Sequence, residues 1–248
     1  MKGLWGSSVA ALLVVASSGA LAADMARPMV MAPPVYNWTG LYIGGNLGGA
    51  WETGTLSDSL FGGSISNNRS GFIGGGQVGY NWQLYPQFVL GVEWMFDGTD
   101  ISSNATGPFL SASQRVDGMS SVAARFGYAV NNYAANSYAA NNYAANNWLF
   151  YGKAGGGWVH DSATLTSVAT GFSVGASDTK GGWLLGAGIE YGFTPNWTMR
   201  LEYDHLGLDN VSHTGPFLGD TVTLSRHFDM LTVGLNYKLS VPVLPGAF

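Results

Sequence analysis

Apolar and polar residues alternate in short blocks along most of this chain. In QFVLGVEWMFD, Leu90, Val92, Trp94 and Phe96 share one face while Gly91, Glu93 and Asp97 share the other. In WTMRLEYDH, Trp197, Met199, Leu201 and Tyr203 oppose Thr198, Arg200, Glu202 and Asp204. LLGAGIEYGF sets Leu185, Ala187, Ile189, Tyr191 and Phe193 against Gly186, Gly188, Glu190 and Gly192. LTVGLNYKL sets Leu231, Val233, Leu235, Tyr237 and Leu239 against Thr232, Gly234, Asn236 and Lys238. A period of two belongs to strands, whose successive side chains point to opposite faces. Eight such segments are read, at roughly 39–52, 70–83, 87–99, 115–129, 148–160, 182–193, 197–208 and 226–239. Segments of about ten residues, alternating and separated by polar turns, match strands that cross a membrane in a closed barrel. The expected fold is all-β, an eight-stranded antiparallel up-and-down transmembrane β-barrel.

A soluble sandwich would alternate too, so the tryptophans decide. Trp51, Trp82, Trp94, Trp148, Trp158, Trp183 and Trp197 fall on the apolar phase, towards strand ends. Trp38, Trp82, Trp148 and Trp197 are placed at the ends near short turns, and Trp51, Trp94, Trp158 and Trp183 at the ends near long loops. Two aromatic girdles result, each holding its rings in lipid and its N–H groups among headgroups. Short turns near Tyr85-Pro86 and Thr194-Pro195-Asn196 then face the periplasm, and long loops near 53–69, 100–114, 161–181 and 209–225 face outward.

Composition agrees with a non-aqueous solvent. The chain has 37 Gly and 9 Trp but only 10% charged residues, too apolar for disorder and too aromatic for an ordinary soluble domain. There is no cysteine, so packing must stabilise the fold without disulfides. The net charge of −5 argues against a nucleic-acid partner.

The ends read differently from the strands. Lys2, the apolar run Val9–Ala16 and Ala20-Leu21-Ala22 form a secretory signal over residues 1–22. Residues 23–37 are Pro-rich and read as a periplasmic leader, residues 38–239 as the barrel, and residues 240–248 as a tail. Between the fourth and fifth segments, residues 131–147 carry three pentapeptides, YAANS, YAANN and YAANN. A period of five puts Tyr133, Tyr138 and Tyr143 on alternating faces of a strand and makes no stripe on a helix. The unit reads as a slipped duplication in a periplasmic turn, where insertion costs little.

Four stretches carry a resemblance: YNWTGLYIGGNLGGAW (Tyr36–Trp51), GFIGGGQVGYNWQ (Gly71–Gln83), YGKAGGGWV (Tyr151–Val159) and MRLEYDHLGL (Met199–Leu208). They resemble the small porin-family, immunogenic outer-membrane proteins of alphaproteobacteria, which have the eight-stranded OmpA-like barrel. The resemblance implies an abundant surface protein of a Gram-negative outer membrane that supports the envelope, with pore, haemin-binding or adhesin roles in some members. It also implies assembly by periplasmic chaperones and the barrel-assembly machinery. Two departures are the pentapeptide insert and a last strand ending LNYKL, with Leu239 where an aromatic residue is usual and Phe248 beyond it.

Two constellations could carry chemistry. Glu93, Glu190 and Glu202 share the inward face with Arg125, Lys153 and Arg200. An eight-stranded lumen has room for side chains and little else, so these are expected to neutralise one another as a plug, or alternatively to swap partners as a gate. His160, His205, His213 and His227 map to the outer rim, where they could bind a metal or haemin or contact lipopolysaccharide. No nucleophile elbow, phosphate loop or metal motif is present, so neither an enzyme, a cofactor nor a metal is expected. The leading expectation is a structural envelope protein presenting surface loops. A small-solute porin and a surface-binding protein are the alternatives. Outer-membrane lipid and lipopolysaccharide are the expected surroundings.

Overall fold

The computed structural model describes residues 36–58, 64–130, 147–214 and 221–239. The signal segment, most of the leader, nearly all of the pentapeptide insert and the tail lie outside the described residues. Among the described residues there are ten strands: β1 (Gly40–Asp58), β2 (Ser64–Gln83), β3 (Phe88–Thr99), β4 (Ser102–Thr106), β5 (Leu110–Val130), β6 (Trp148–Ser167), β7 (Ser173–Gly192), β8 (Trp197–Leu208), β9 (Val211–Thr214) and β10 (Thr221–Lys238). Eight long antiparallel strands follow in the order β1-β2-β3-β5-β6-β7-β8-β10, and β10 pairs back onto β1 to close the ring. The short β4 and β9 add to β5 and β10 at one end.

The register fixes the barrel's geometry. Starting at Ile43 and crossing Val78, Trp94, Val122, Gly156, Trp183, Gly207 and His227 in turn, the path returns to β1 at Thr53, ten residues along. With eight strands this stagger corresponds to a tilt of about 40° and a radius of about 8 Å. Such a cylinder closes the edges of the eight long strands wherever all eight are paired.

All eight expected segments are strands, but six of the eight run further than their alternation suggested. β1 and β2 stay paired out to Ser57 and Ser64, and β6 and β7 out to Thr166 and Ser173. The expected loops at 53–69, 100–114, 161–181 and 209–225 are therefore mostly paired hairpins. Ser, Thr and Asn on both faces mark where water begins; the backbone groups still satisfy each other beyond that point. At the other end the connections are tight: Leu84 N–H reaches Phe88 O at 3.0 Å, and Trp197 N–H reaches Thr194 Oγ1 at 3.0 Å.

The wall is inverted relative to a soluble protein, with large apolar side chains outward and polar ones inward. On β8, Trp197, Met199, Leu201 and Tyr203 are exposed while Thr198, Arg200, Glu202 and Asp204 are buried. Seven tryptophans point outward as expected. Trp82, Trp148 and Trp197 form a ring at the short-turn end, and Trp51, Trp158 and Trp183 one at the hairpin end. With an axial rise of about 2.5 Å per residue at this tilt, the two rings stand about 25 Å apart.

Two tryptophans correct the girdle assignment. Trp94 pairs with Val78, four residues up β2 from Trp82, and so lies midway between the rings. Trp38 is not on the wall at all. It is only 2% exposed, packs on Tyr36 with ring centroids 4.6 Å apart, and closes the short-turn end of the lumen. Its backbone N–H donates to Gln83 Oε1 at 2.9 Å, which turns the entering chain inward before β1 begins. Tyr36, at the end of the 23–37 stretch read as a Pro-rich periplasmic leader, is buried beside Trp38.

Candidate functional site

The inward charges converge from five strands on one level of the lumen. The register sets Arg125 on β5 directly opposite Lys153 on β6, and Glu190 on β7 opposite Arg200 on β8. Two like charges facing each other across a sheet repel, and here carboxylates separate them. Arg125 turns to Glu93 (3.3 Å) and Glu190 (2.8 Å). Lys153 Nζ meets Glu202 and Asp204, each at 2.8 Å. Arg200 Nη1 lies 2.5 Å from Glu93 and 3.5 Å from Glu202. All six residues expected in the network are joined, and all are buried.

Neutral groups complete the shell. Tyr42 Oη donates to Glu93 at 2.8 Å, and Tyr151 Oη donates to Glu202 at 2.6 Å. Glu190 accepts from Thr198 Oγ1 and, at 2.9 Å, from Asn236 Nδ2, and the relay continues through Gln77 to Asn46. The Arg125 guanidinium lies over the Tyr151 ring, 3.9 Å from its centroid. The two tyrosines need room: a Cβ at Gly188 would stand 2.5 Å from the Tyr151 phenol, and one at Gly79 would collide with Tyr42.

Several of these residues escaped the sequence reading. Asp204 was placed on the right face but not in the network. Tyr42 and Tyr151 pass for lipid-facing aromatics, although their parity with Asn46 and Lys153 marks them as inward. Met95, whose sulfur accepts from Lys153 Nζ at 3.2 Å, carries no polar signal in a sequence.

Apolar layers cap the network at both ends. Tyr36, Trp38, Val89, Ala129, Leu149 and Tyr151 cluster at the short-turn end. A larger cluster including Ile73, Ile101, Val159, Leu206 and Phe228 fills the hairpin end. Above it a second set of ions lines a cup of about 410 Å³ open at the mouth. There Arg226 holds Glu52 at 2.7 Å and Asp161 at 2.5 Å, and Arg69 holds Glu52 at 2.8 Å.

The histidines do not form one site. His205 and His227 meet on the outer wall, ring centroids 5.5 Å apart, with the Trp183 ring 5.2 Å from His205 and tilted 40° to it. His205 Nδ1 is 2.7 Å from Asp229 Oδ1, which also accepts from Tyr203 Oη at 2.6 Å. His160 stands apart on β6, bonded to Thr179 at 2.6 Å. The His213 side chain lies outside the described residues. Among the described residues no three His, Cys, Asp or Glu side chains converge on a metal position.

A closed ring with polar side chains inside, an apolar outer wall and indoles at two depths is the architecture of a membrane barrel, and comparison gives it a family. The family model described as outer membrane protein beta-barrel domain matches residues 8–238. The chain belongs to the outer membrane protein β-barrel family. This family member is 35% identical to the 31 kDa outer-membrane immunogenic protein of Brucella melitensis, over 96% of this chain and 100% of that one. It is 30% identical to the 22 kDa outer membrane protein of Rhizobium leguminosarum, over 82% of this chain and 78% of the relative. Against the 25 kDa outer-membrane immunogenic protein of Brucella canis the identity is 30%, over 93% and 95% of the two chains. The outer membrane protein β-barrel described above resides in the outer membrane of a Gram-negative bacterium.

Proposed function

We propose that this barrel is a closed membrane anchor that supports the envelope and presents its long hairpins at the cell surface, with the lumen plugged. The short turns then face the periplasm, in contact with periplasmic chaperones and the barrel-assembly machinery during insertion, and the hairpins rise among lipopolysaccharide. The observation that carries the reading is the filling of the lumen. The ion network is held between two apolar layers, and the cavity beside it measures about 10 Å³, the space of one water molecule. A gate would need the ion pairs to exchange partners. Breaking a buried pair held between two apolar layers leaves an uncompensated charge at a cost of about 3–5 kcal/mol. The reading includes no catalytic step.

Planar-bilayer recording tests the plug. The wild-type protein is expected to give no stable open channels, and steady single-channel currents altered by Glu93→Gln or Arg125→Ala would replace the plug with a small-solute pore. One observation favours a second reading, surface binding of a haemin-like ligand: His205 and His227 lie side by side next to the Trp183 ring. Haemin absorbance titrations of wild type against His205→Ala and His227→Ala decide it; binding that survives both changes removes these imidazoles from the ligand set.

A further inference from the structure

The cup at the mouth of the barrel is built on a fixed bar of ions. Arg226 crosses the lumen from β10 to Asp161 on β6 and also holds Glu52 on β1. Arg69 on β2 holds Glu52 from the other side and reaches Gln114 Oε1 at 3.4 Å. Both guanidinium groups end on the same oxygen, Glu52 Oε1. Two groups are left over. Glu52 Oε2 is buried with no hydrogen-bond partner among the described residues. Lys180 on β7 is half-buried and has neither an ion pair nor a hydrogen bond among the described residues. Asp178, two positions along the same strand, is engaged with the backbone: its Oδ1 accepts from Thr179 N–H at 2.8 Å.

Register places both leftovers at the same depth in the cup. Glu52 pairs with Phe228 and Lys180 with Val159, and both of those partners belong to the apolar layer beneath. The open acceptor and the open cation therefore stand at the floor, just above that layer. The walls add the amides of Asn67 and Gln114, with Leu224 and the small Ala163 and Ala176 as the apolar part. At about 410 Å³ the cup lies within the range of about 300–1,000 Å³ typical of small-molecule sites. Such a lining offers little to an apolar ligand. A lone ammonium calls for an anion, and unfilled carboxylate and amide groups call for hydroxyls.

We propose that the cup binds one small acidic sugar, its carboxylate or phosphate on Lys180 Nζ and its hydroxyls on the Glu52 side of the floor and on the Asn67 and Gln114 amides. Lys180 is half-buried in a cup open to water, so it can take an anion without the desolvation cost of a fully buried ion. The bar of Arg226, Glu52 and Asp161 is held by its own contacts before any ligand arrives, which lowers the ordering cost of binding. The inference goes beyond the anchor reading and is independent of the plug, since the cup stands above the apolar layer whether or not the lumen below conducts.

The test titrates the full chain, folded from urea into detergent without lipopolysaccharide, with glucuronate, glucose 6-phosphate and glucose, read by calorimetry. The expected result is one site that prefers an acidic sugar to glucose by about tenfold or more, the worth of a hydrogen bond to a charged group. Lys180→Gln is expected to erase that preference, and Ala176→Phe, which fills the cup without touching an ion pair, to abolish binding. Heat-modifiable gel mobility checks that both variants fold, and if one does not, the other decides. The site is overturned if neither acidic sugar binds, if glucose binds equally well, or if binding is unchanged in a folded Lys180→Gln or Ala176→Phe barrel. Repeating the titration in bilayers that contain lipopolysaccharide separates two sources of the same chemistry. Loss of glucuronate binding there assigns the cup to acidic sugars of the surrounding membrane, and unchanged binding assigns it to free ones.

Discussion

The barrel holds two ion networks in one lumen, and they differ in what surrounds them. The middle network, built on Glu93, Arg125, Lys153 and Arg200, is buried between apolar clusters above and below. The mouth network, built on Glu52, Arg69, Asp161 and Arg226, lines a cup open to solvent. Both have short contacts and several partners per charge. Solvent separates them: water and salt can replace a lost partner at the mouth, and nothing can in the middle. Pairs of similar geometry therefore have different consequences when broken.

The largest effect is expected from Arg200→Met, which removes the cation nearest Glu93 and leaves Glu202 with Lys153 alone. Leaving those carboxylates buried should cost about 3–5 kcal/mol, read as a fall in the urea midpoint at which the compact gel band disappears. Adding Glu93→Gln to that variant should recover part of the loss, because a charge is removed along with its partner. Trp38→Ala should cost about 3 kcal/mol by opening a cavity in the lower seal. It should also make stability sensitive to salt, since water then reaches the middle network from the short-turn end. Insensitivity to salt in that variant would show that the seal is not what distinguishes the two networks.

Arg226→Ala should cost less, about 1–2 kcal/mol, because Glu52 and Asp161 regain water at the mouth. Its penalty should shrink in high salt while that of Arg200→Met does not, measured by the same urea titrations at two ionic strengths. The smallest effect is expected from excising Tyr133–Asn147. Asn147 extends the β6–β7 pairing by donating its side-chain Nδ2 to Gly192 O at 2.7 Å. After excision Asn132 precedes Trp148 and can take its place, so the urea midpoint should not move.

Much of this was legible in period-two alternation. The outward face of β8 and the inward set Arg200, Glu202 and Asp204 follow from parity alone, since a strand has no other way to present its side chains. Parity also carried the six network residues to the lumen. It failed where a residue's character contradicts its neighbours. Trp38 belongs by type to the lipid interface yet is drawn inside, because it precedes β1 and Gln83 bonds its backbone. Tyr42 and Tyr151 are inward because carboxylates await their hydroxyls. Trp94 lay on the correct face at the wrong depth, since its height depends on the stagger of all eight strands and no single strand records it.

The residues alone thus determined which strands form, which face of each meets lipid, and that both signs of charge point inward, because alternation and polarity are local properties of the chain. Closure decided the rest. Only when β10 pairs with β1 at a ten-residue stagger do Glu93, Arg125, Lys153 and Arg200 arrive at one level and apolar layers form above and below them. Pairing partners and heights belong to the cylinder, whose radius of about 8 Å leaves those side chains no space except against one another.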